Sequence, residues 1–300
     1  MPILKSNRNY SQIISAKKYN KLMNLQHKYI ATADRFICTE LFKIQADFDN
    51  ITFLEVGGGP MRISFGLLQT LWDGNKPFDY TLIDIDEHFA KYSRRKVSRE
   101  KLPIKIINGD INNYNLTNKI NIAVSQGFHH HIDSGYLKHL KKILQKGGYY
   151  IISDEFLLDY SNEQERCENA VIWYSHIINN AISGGCEELA VEEAKTFLDD
   201  ITVDKNFNSK SSETINLVLN TVNEIENSSN QNNLVIDLLQ KLDVNGPCSN
   251  DITMNLSRGD YKISNKKFED QVVNLGFKIK NKIVVGDNRK GNLTVYTLQV

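Results

Sequence analysis

The chain has 300 residues, 41% hydrophobic and 24% charged, with 36 basic side chains balancing 36 acidic ones. That suits a globular protein with ample apolar residues for a core, and the neutral balance speaks against a dedicated nucleic-acid binder, which carries a basic surplus or stripe. No apolar run is long enough to span a bilayer and residues 1–9 lack an apolar leader core, so a cytoplasmic protein without a membrane is expected.

Taken in chain order, residues 10–47 read as two helices meeting at Ala33-Asp34. Ile13, Ile14, Tyr19, Leu22 and Met23 recur at helical spacing, and so do Phe36, Ile37, Leu41 and Phe42. A β-branched and aromatic run, 51–56, then ends in Glu55 and Val56 before Gly57-Gly58-Gly59. Helical periodicity follows from Met61 to about Trp72. The turn at 73–77 leads to a second strand, 80–84, and a helix to about Glu100. The local basic run Arg94-Arg95-Lys96 and Arg99 reads as that helix's solvated face. Pro103 opens a third strand, 104–108, and a fourth, 120–125, runs into Gln126-Gly127-Phe128-His129-His130-His131. Leu137, Leu140, Ile143 and Leu144 mark a helix stopped by Gly147-Gly148, and 149–153 is a fifth strand ending in Asp154-Glu155. The rhythm breaks at 159–250, read as a helical insertion with helices near 171–182, 188–201, 215–225 and 234–242. Ser264 caps a last helix to Leu275-Gly276, and 277–285 with 293–298 form a closing hairpin.

Strands alternating with helices imply parallel strands, right-handed crossovers and helices on both faces of one sheet. The expected fold is therefore α/β: a Rossmann-like, mostly parallel seven-stranded sheet with a C-terminal antiparallel hairpin. To it are added a helical N-terminal arm (1–47) and a helical insertion (159–250). The cofactor core would be 48–158, completed by 251–300. In such sheets ligands lie beyond the carboxyl ends of the strands, and each strand end here carries polar or glycine residues. The four cysteines, Cys38, Cys167, Cys186 and Cys248, are scattered without Cys-x-x-Cys spacing, so reduced thiols are expected.

The glycines after the first strand let backbone approach a ligand closely, at a helix N-terminus. A pyrophosphate dinucleotide would want a third glycine where Arg62 stands, which disfavours NAD(P). Glu55 beside the turn suits a cationic ammonium or sulfonium group. Asp84, ending the second strand, is placed to accept both hydroxyls of a ribose. Asp110 can accept from an exocyclic amine, with Ile111 as an apolar wall for a purine. Each carboxylate has a plainer use as a helix cap, a use most evenly matched at Asp86.

The arrangement resembles the class I S-adenosylmethionine-dependent methyltransferases, small-molecule type. Leu54-Glu55-Val56-Gly57-Gly58-Gly59-Pro60 is similar to their first motif and Leu82-Ile83-Asp84-Ile85-Asp86 to their ribose-binding strand. Asn108-Gly109-Asp110-Ile111 is similar to the adenine-binding strand end, and Gly147-Gly148 with the following strand to their fifth. Where Met61 stands, that family often has glycine. The resemblance covers roughly 50–158 and 257–300 and implies S-adenosylmethionine as cofactor. It would be held by Glu55, Gly57, Gly58, Gly59, Asp84, Ile85, Asp110, Ile111, Gln126 and Gly127.

Methyl transfer is an in-line displacement that often needs a base. Among His129, His130, His131, His176, Asp154 and Glu155, the catalytic set is taken as His130, His131 and Glu155, with at least one of the consecutive histidines structural. No metal is expected, since consecutive histidines cannot all face one ion. The arm and insertion would cover the pocket and select the acceptor. Tyr19, Tyr29, Phe36, Trp173 and Tyr174 would serve as pocket lining or as core. The expected reaction is methyl transfer to an oxygen or nitrogen of a small metabolite, with no nucleic-acid partner and a homodimer left open. The alternatives are a relative running another alkyl transfer, a cyclisation or an elimination on the same cofactor, and a non-catalytic regulatory scaffold.

Overall fold

The computed structural model describes residues 28–114, 119–162, 262–286 and 291–300. It also describes strands at 201–203 and 252–254 and, singly or in short runs, residues 15–17, 19, 20, 23, 165, 166, 169 and 173. Helix α1 (Lys28–Ile44) leads through a 3-10 turn to β1 (Ile51–Val56), then α2 (Ser64–Asp73), β2 (Phe78–Asp84), α3 (Glu87–Glu100) and β3 (Ile104–Asn108). β4 (Ile120–Gln126), α4 (Gly135–Ile143) and β5 (Leu144–Phe156) follow, then β6 (Ile201–Val203), β7 (Ile252–Met254), α5 (Asn265–Asn274), β8 (Lys278–Val285) and β9 (Asn292–Gln299). The main sheet is seven-stranded, in the order β3-β2-β1-β4-β5-β9-β8. β1 to β5 pair in parallel, and β9 runs antiparallel to both β5 and β8. The chain reverses its direction of travel across the sheet between β1 and β4. Such a switch point opens a crevice at the carboxyl ends of those two strands.

Both faces of the sheet are covered, which is why β1 and β4 read as near-continuous apolar runs. Ile51, Phe53, Ile122, Val124 and Ile151 face one core with α1 and α2; Leu54, Val56, Ala123, Tyr150 and Ile152 face the other with α4 and α5. Helix α1 contributes Ile30, Ala33, Ile37, Leu41 and Ile44, one stripe at helical spacing, all buried. Burial of each isoleucine or leucine in it is worth roughly 1.5–3 kcal/mol. The polar Glu40 on the same helix is satisfied by Thr297 of β9 (2.9 Å) and Lys43 (2.7 Å). Ser264 caps α5 as expected, accepting from the Lys267 amide.

Four expectations are corrected. The junction at Ala33-Asp34 does not exist: α1 runs through it, because Ala33 sits on the buried stripe and Asp34 finds the partners described below. Gly147-Gly148 is not a helix stop but lies inside β5, where the pairing register shifts opposite Ile120–Ile122. A Cβ at Gly148 would come within 2.9–3.2 Å of three backbone carbonyls, so the sheet needs a bare backbone there. Ile201 begins a strand rather than ending a helix. Finally, 252–254 pairs with 201–203 in a separate two-stranded ribbon, so the core sheet does not resume at 251. The remaining helices expected in the insertion, and Cys167, Cys186, Cys248, Tyr174 and His176, lie outside the described residues. Cys38 is a free thiol. No helix among the described residues is long and apolar enough to cross a membrane, and none of their His, Cys, Asp and Glu groups forms a metal cluster.

Candidate active site

The polar residues singled out from the sequence converge at the carboxyl edge of the sheet. After β1 the backbone turns through Gly57 (φ 64°) and Gly59 (φ 49°), left-handed conformations that suit glycine. A Cβ on Gly57 would run into the Phe128 ring at 2.3 Å, and one on Gly58 into Leu82. The turn is pinned from two sides. The Gly59 amide donates to Asp84 Oδ2 (2.7 Å), and Ser93 of α3 donates to the Gly59 carbonyl (3.0 Å).

Met61 shares the left-handed conformation (φ 61°) but carries a side chain that is 1% exposed. The backbone conformation costs roughly 1 kcal/mol, while full burial of a methionine stabilises by roughly 1.5–3 kcal/mol. Burial therefore wins, which explains how methionine stands at a glycine position. Met61→Gly is expected to lower stability by about 1–2 kcal/mol despite relieving the backbone. A lower urea midpoint at unchanged slope is the reading that checks it.

Glu55 lies beneath the turn, 1% exposed. Its Oε2 accepts from Ser64 (2.7 Å) and from Tyr80, while its Oε1 is buried with no hydrogen-bond partner. Burial pushes its carboxyl up to about 7, against the two hydroxyl donors and the Arg62 charge that favour ionisation. At the end of β2, Asp84 accepts from the Asp86 amide (2.8 Å) through Oδ1 as well as from Gly59 through Oδ2, so each oxygen keeps one acceptor site. Burial raises this carboxyl to about 6. Ile85 follows, 53% exposed, on a backbone held by Asn108 Nδ2, which donates to the Asp84 and Ile85 carbonyls (3.0 Å each). Asp86 proves to be the cap of α3, accepting from the His88 and Phe89 amides. Asp110 opens a 3-10 turn, its Oδ1 accepting from the Asn112 amide and side chain, with Ile111 buried beside it.

The far end of the crevice is organised by Asp154, fully buried on β5. Its Oδ2 accepts from the Phe128 (2.9 Å) and His129 (2.6 Å) amides, and its Oδ1 from the Glu155 amide (2.8 Å) and His130 Nδ1. Burial opposes its charge, but His130 and these donors hold its carboxyl down to about 2. Burial likewise opposes a charged His130; the Asp154 carboxylate outweighs it and leaves that imidazole above its ordinary value. His129 is different. Burial pulls it down to about 4, its Nδ1 meets Tyr136 at 3.1 Å, and its ring packs edge-on to Phe268 at 4.9 Å. It is part of the core. His131 is exposed, its ring 3.8 Å from that of His130. Glu155 is engaged from two sides: its Oε2 accepts from Trp173 Nε1 (3.0 Å) and lies 3.5 Å from Lys262 Nζ.

Sequence reasoning missed the Asp34–Arg62 pair, a two-toothed contact at 2.7 and 2.8 Å joining α1 to the glycine turn, with Gln126 Nε2 donating to the same carboxylate (2.5 Å). The Arg at 62 was legible only as an argument against a dinucleotide. Gly127, beside Gln126, has φ 58° and open space where a Cβ would point.

A family model described as a methyltransferase domain matches residues 53–148. No curated protein matches the chain in sequence. Among solved structures, the chain is similar to the CurJ carbon methyltransferase (10% identity, TM-score 0.55), covering 97% of this chain and 60% of that one. It is also similar to an S-adenosylmethionine-dependent methyltransferase from Clostridium acetobutylicum (12%, TM-score 0.49, covering 97% and 98%). A third similar structure is the mitomycin 7-O-methyltransferase MmcR (12%, TM-score 0.43, covering 87% and 53%); this chain spans about half the length of that protein. At these identities the likeness is one of fold. The strand order and the glycine turn give the seven-stranded core a class I, Rossmann-like methyltransferase fold, and the methyltransferase-domain model matches residues 53–148 of it.

Proposed function

We propose that the protein transfers a methyl group from S-adenosylmethionine to an oxygen or nitrogen atom of a small-molecule acceptor, with His130 as the base and Asp154 holding it. The observation that carries this reading is the His130–Asp154 contact just past the carboxyl end of β4. Asp154 accepts from Nδ1–H, which sets the tautomer and leaves Nε2 as the proton acceptor. A pKa above the ordinary value suits removal of a weakly acidic hydroxyl or ammonium proton. His131, its ring tilted against that of His130, would meet the acceptor from the exposed side. Glu155, fixed by Trp173 and Lys262, would shape that end of the site.

The residues at the other end fit the cofactor. Asp84 has one free acceptor site on each oxygen for the two ribose hydroxyls. Ile85 offers exposed apolar surface next to it, and Ile111 with the Oδ2 of Asp110 would take the adenine edge. Gly57, Gly58 and Gly59 leave the backbone bare, Gln126 and Gly127 would run along the ligand, and the orphaned Oε1 of Glu55 matches an ammonium donor. Bound there, S-adenosylmethionine supplies a methyl group on a sulfonium, already activated as an electrophile. The chain's own part is to hold the acceptor in line, exclude water and take its proton.

Calorimetry with S-adenosylmethionine and S-adenosylhomocysteine, followed by an assay for S-adenosylhomocysteine release against alcohols, phenols and amines, tests this reading. Binding of both ligands with release only when an oxygen or nitrogen acceptor is present is the expected result. Binding without release from any such acceptor would point instead to another reaction or to a regulatory scaffold.

A further inference from the structure

The arm helix α1 reaches the glycine turn through a set of groups that the core alone does not explain. Arg62 follows Gly57-Gly58-Gly59-Pro60-Met61, and its guanidinium is 9% exposed, gripped by both oxygens of Asp34. Gln126, at the end of β4, donates to the same carboxylate. The pair therefore bridges α1, the turn after β1 and the end of β4, which is to say both walls of the switch-point crevice. Arg62 uses two of its five N–H donors on Asp34, leaving three for another anion. Two buried acceptors without partners border the same turn. Glu55 Oε1 is one, on a side chain 1% exposed; Asn20 Oδ1 is the other, on a residue whose Nδ2 donates to the Pro60 carbonyl at 2.9 Å. A buried carboxylate oxygen left without a donor is costly unless a ligand supplies one.

One cation with spare donors, one anion and two orphaned acceptors around a bare glycine turn are complementary to a zwitterion. From this arrangement we infer that Arg62 and Asp34 form the subsite for the amino-acid end of the cofactor. Arg62 takes the α-carboxylate, while Asp34, with Glu55 Oε1 and Asn20 Oδ1, takes the α-ammonium. The inference rests on the cofactor reading above and makes α1 a wall of the cofactor site as well as a layer of the core. It also assigns Arg62 a positive role: the side chain that excludes a dinucleotide selects an amino-acid-bearing nucleoside.

The test crosses protein variants with ligand variants in calorimetry on the full chain. S-adenosylhomocysteine carries both charged groups, decarboxylated S-adenosylmethionine lacks the carboxylate, and 5′-methylthioadenosine lacks both. Arg62→Ala should weaken S-adenosylhomocysteine by about 10- to 100-fold, as expected for loss of a charge-assisted contact. It should leave decarboxylated S-adenosylmethionine and 5′-methylthioadenosine within about twofold of wild type, the margin left by a contact neither ligand makes. Asp34→Asn should weaken both ammonium-bearing ligands and spare 5′-methylthioadenosine. Should Arg62→Ala fail to fold by circular dichroism, Arg62→Lys keeps the charge without the fork and should show the same ligand pattern at smaller size. Equal binding of S-adenosylhomocysteine by wild type and variants overturns the subsite. So does an equal loss of 5′-methylthioadenosine, which would mean that the pair only braces the turn. Failure of wild type to bind any of the three ligands overturns the cofactor reading itself.

Discussion

Asp84→Ala is expected to raise the dissociation constant for S-adenosylhomocysteine by about 100-fold or more, the largest effect of any single change at the cofactor end. Two losses combine. The first is the pair of charge-assisted hydrogen bonds that the proposed site offers the ribose, worth about 1.5–3 kcal/mol each. The second is internal: the Gly59 and Asp86 amides lose the carboxylate they donate to, so the glycine turn and the start of α3 loosen together. Asp84→Asn would not restore either, because an amide NH2 would have to face one of those N–H donors. The same residue sets a pH dependence. As an acceptor Asp84 must be ionised, and burial has raised its carboxyl to about 6; Glu55, raised to about 7, must ionise to receive an ammonium. Protonation thus competes with the ligand. Affinity should be flat above about pH 8 and fall on acidification, by up to about tenfold per pH unit for each group. In Asp84→Ala only the Glu55 limb would remain. An affinity that does not change between pH 5 and 8 would remove both carboxylates from the site.

The strand ends were legible because the pattern that encodes them is local. Short apolar and β-branched runs stop just before or at Gly57, Asp84 and Gly109-Asp110, and an open parallel sheet gathers such ends on one edge whatever the details of packing. What stayed hidden depends on contacts between distant segments. Asp34 meets Arg62 and Gln126 across 28 and 92 positions of sequence, and nothing near it distinguishes it from an ordinary helix aspartate. Asp154 and Glu155 look interchangeable at the end of β5, yet successive strand residues face opposite sides. Tyr150, Ile152, Asp154 and Phe156 share the face that packs on α4 and α5, where His130 lies, so Asp154 rather than Glu155 meets it. The alternation was readable; which phase faced the histidines was not. Gly147-Gly148 misled for a related reason. The bare backbone of Gly148 serves close contact with the carbonyls of Ile120 and Asn121, a requirement set by the neighbouring strand rather than by the preceding helix.

His130→Ala should reduce kcat by about 100- to 10,000-fold, the usual contribution of a positioned general base, while leaving the dissociation constant for S-adenosylhomocysteine within about twofold, because the proposed cofactor contacts do not include the imidazole. Asp154→Asn separates a positioning role from a purely structural one. The asparagine can keep an oxygen toward the Phe128 and His129 amides, but its NH2 then faces His130 Nδ1 and the Glu155 amide. Nδ1 must become the acceptor, Nε2 carries the proton, and the base points the wrong tautomer at the acceptor; kcat should fall by a similar factor. The pH profile carries the signature. A base works neutral, so wild-type kcat/KM should rise with pH through the folded pKa of His130, which the Asp154 carboxylate holds above 6.5. Without that charge the limb should move to lower pH while the plateau drops. Stability follows with opposite signs for the two partners. The depressed Asp154 carboxyl stabilises the fold above its ordinary 3.8, and that contribution is lost as pH falls toward about 2. The raised His130 stabilises below 6.5 and loses its contribution as pH rises through its folded pKa. The pair should therefore add most between about pH 4 and 6.5, and thermal unfolding of wild type and Asp154→Asn should differ most in that window. An acid limb that stays put in Asp154→Asn, with kcat unchanged, would reduce the dyad to packing and leave His131 as the base to test.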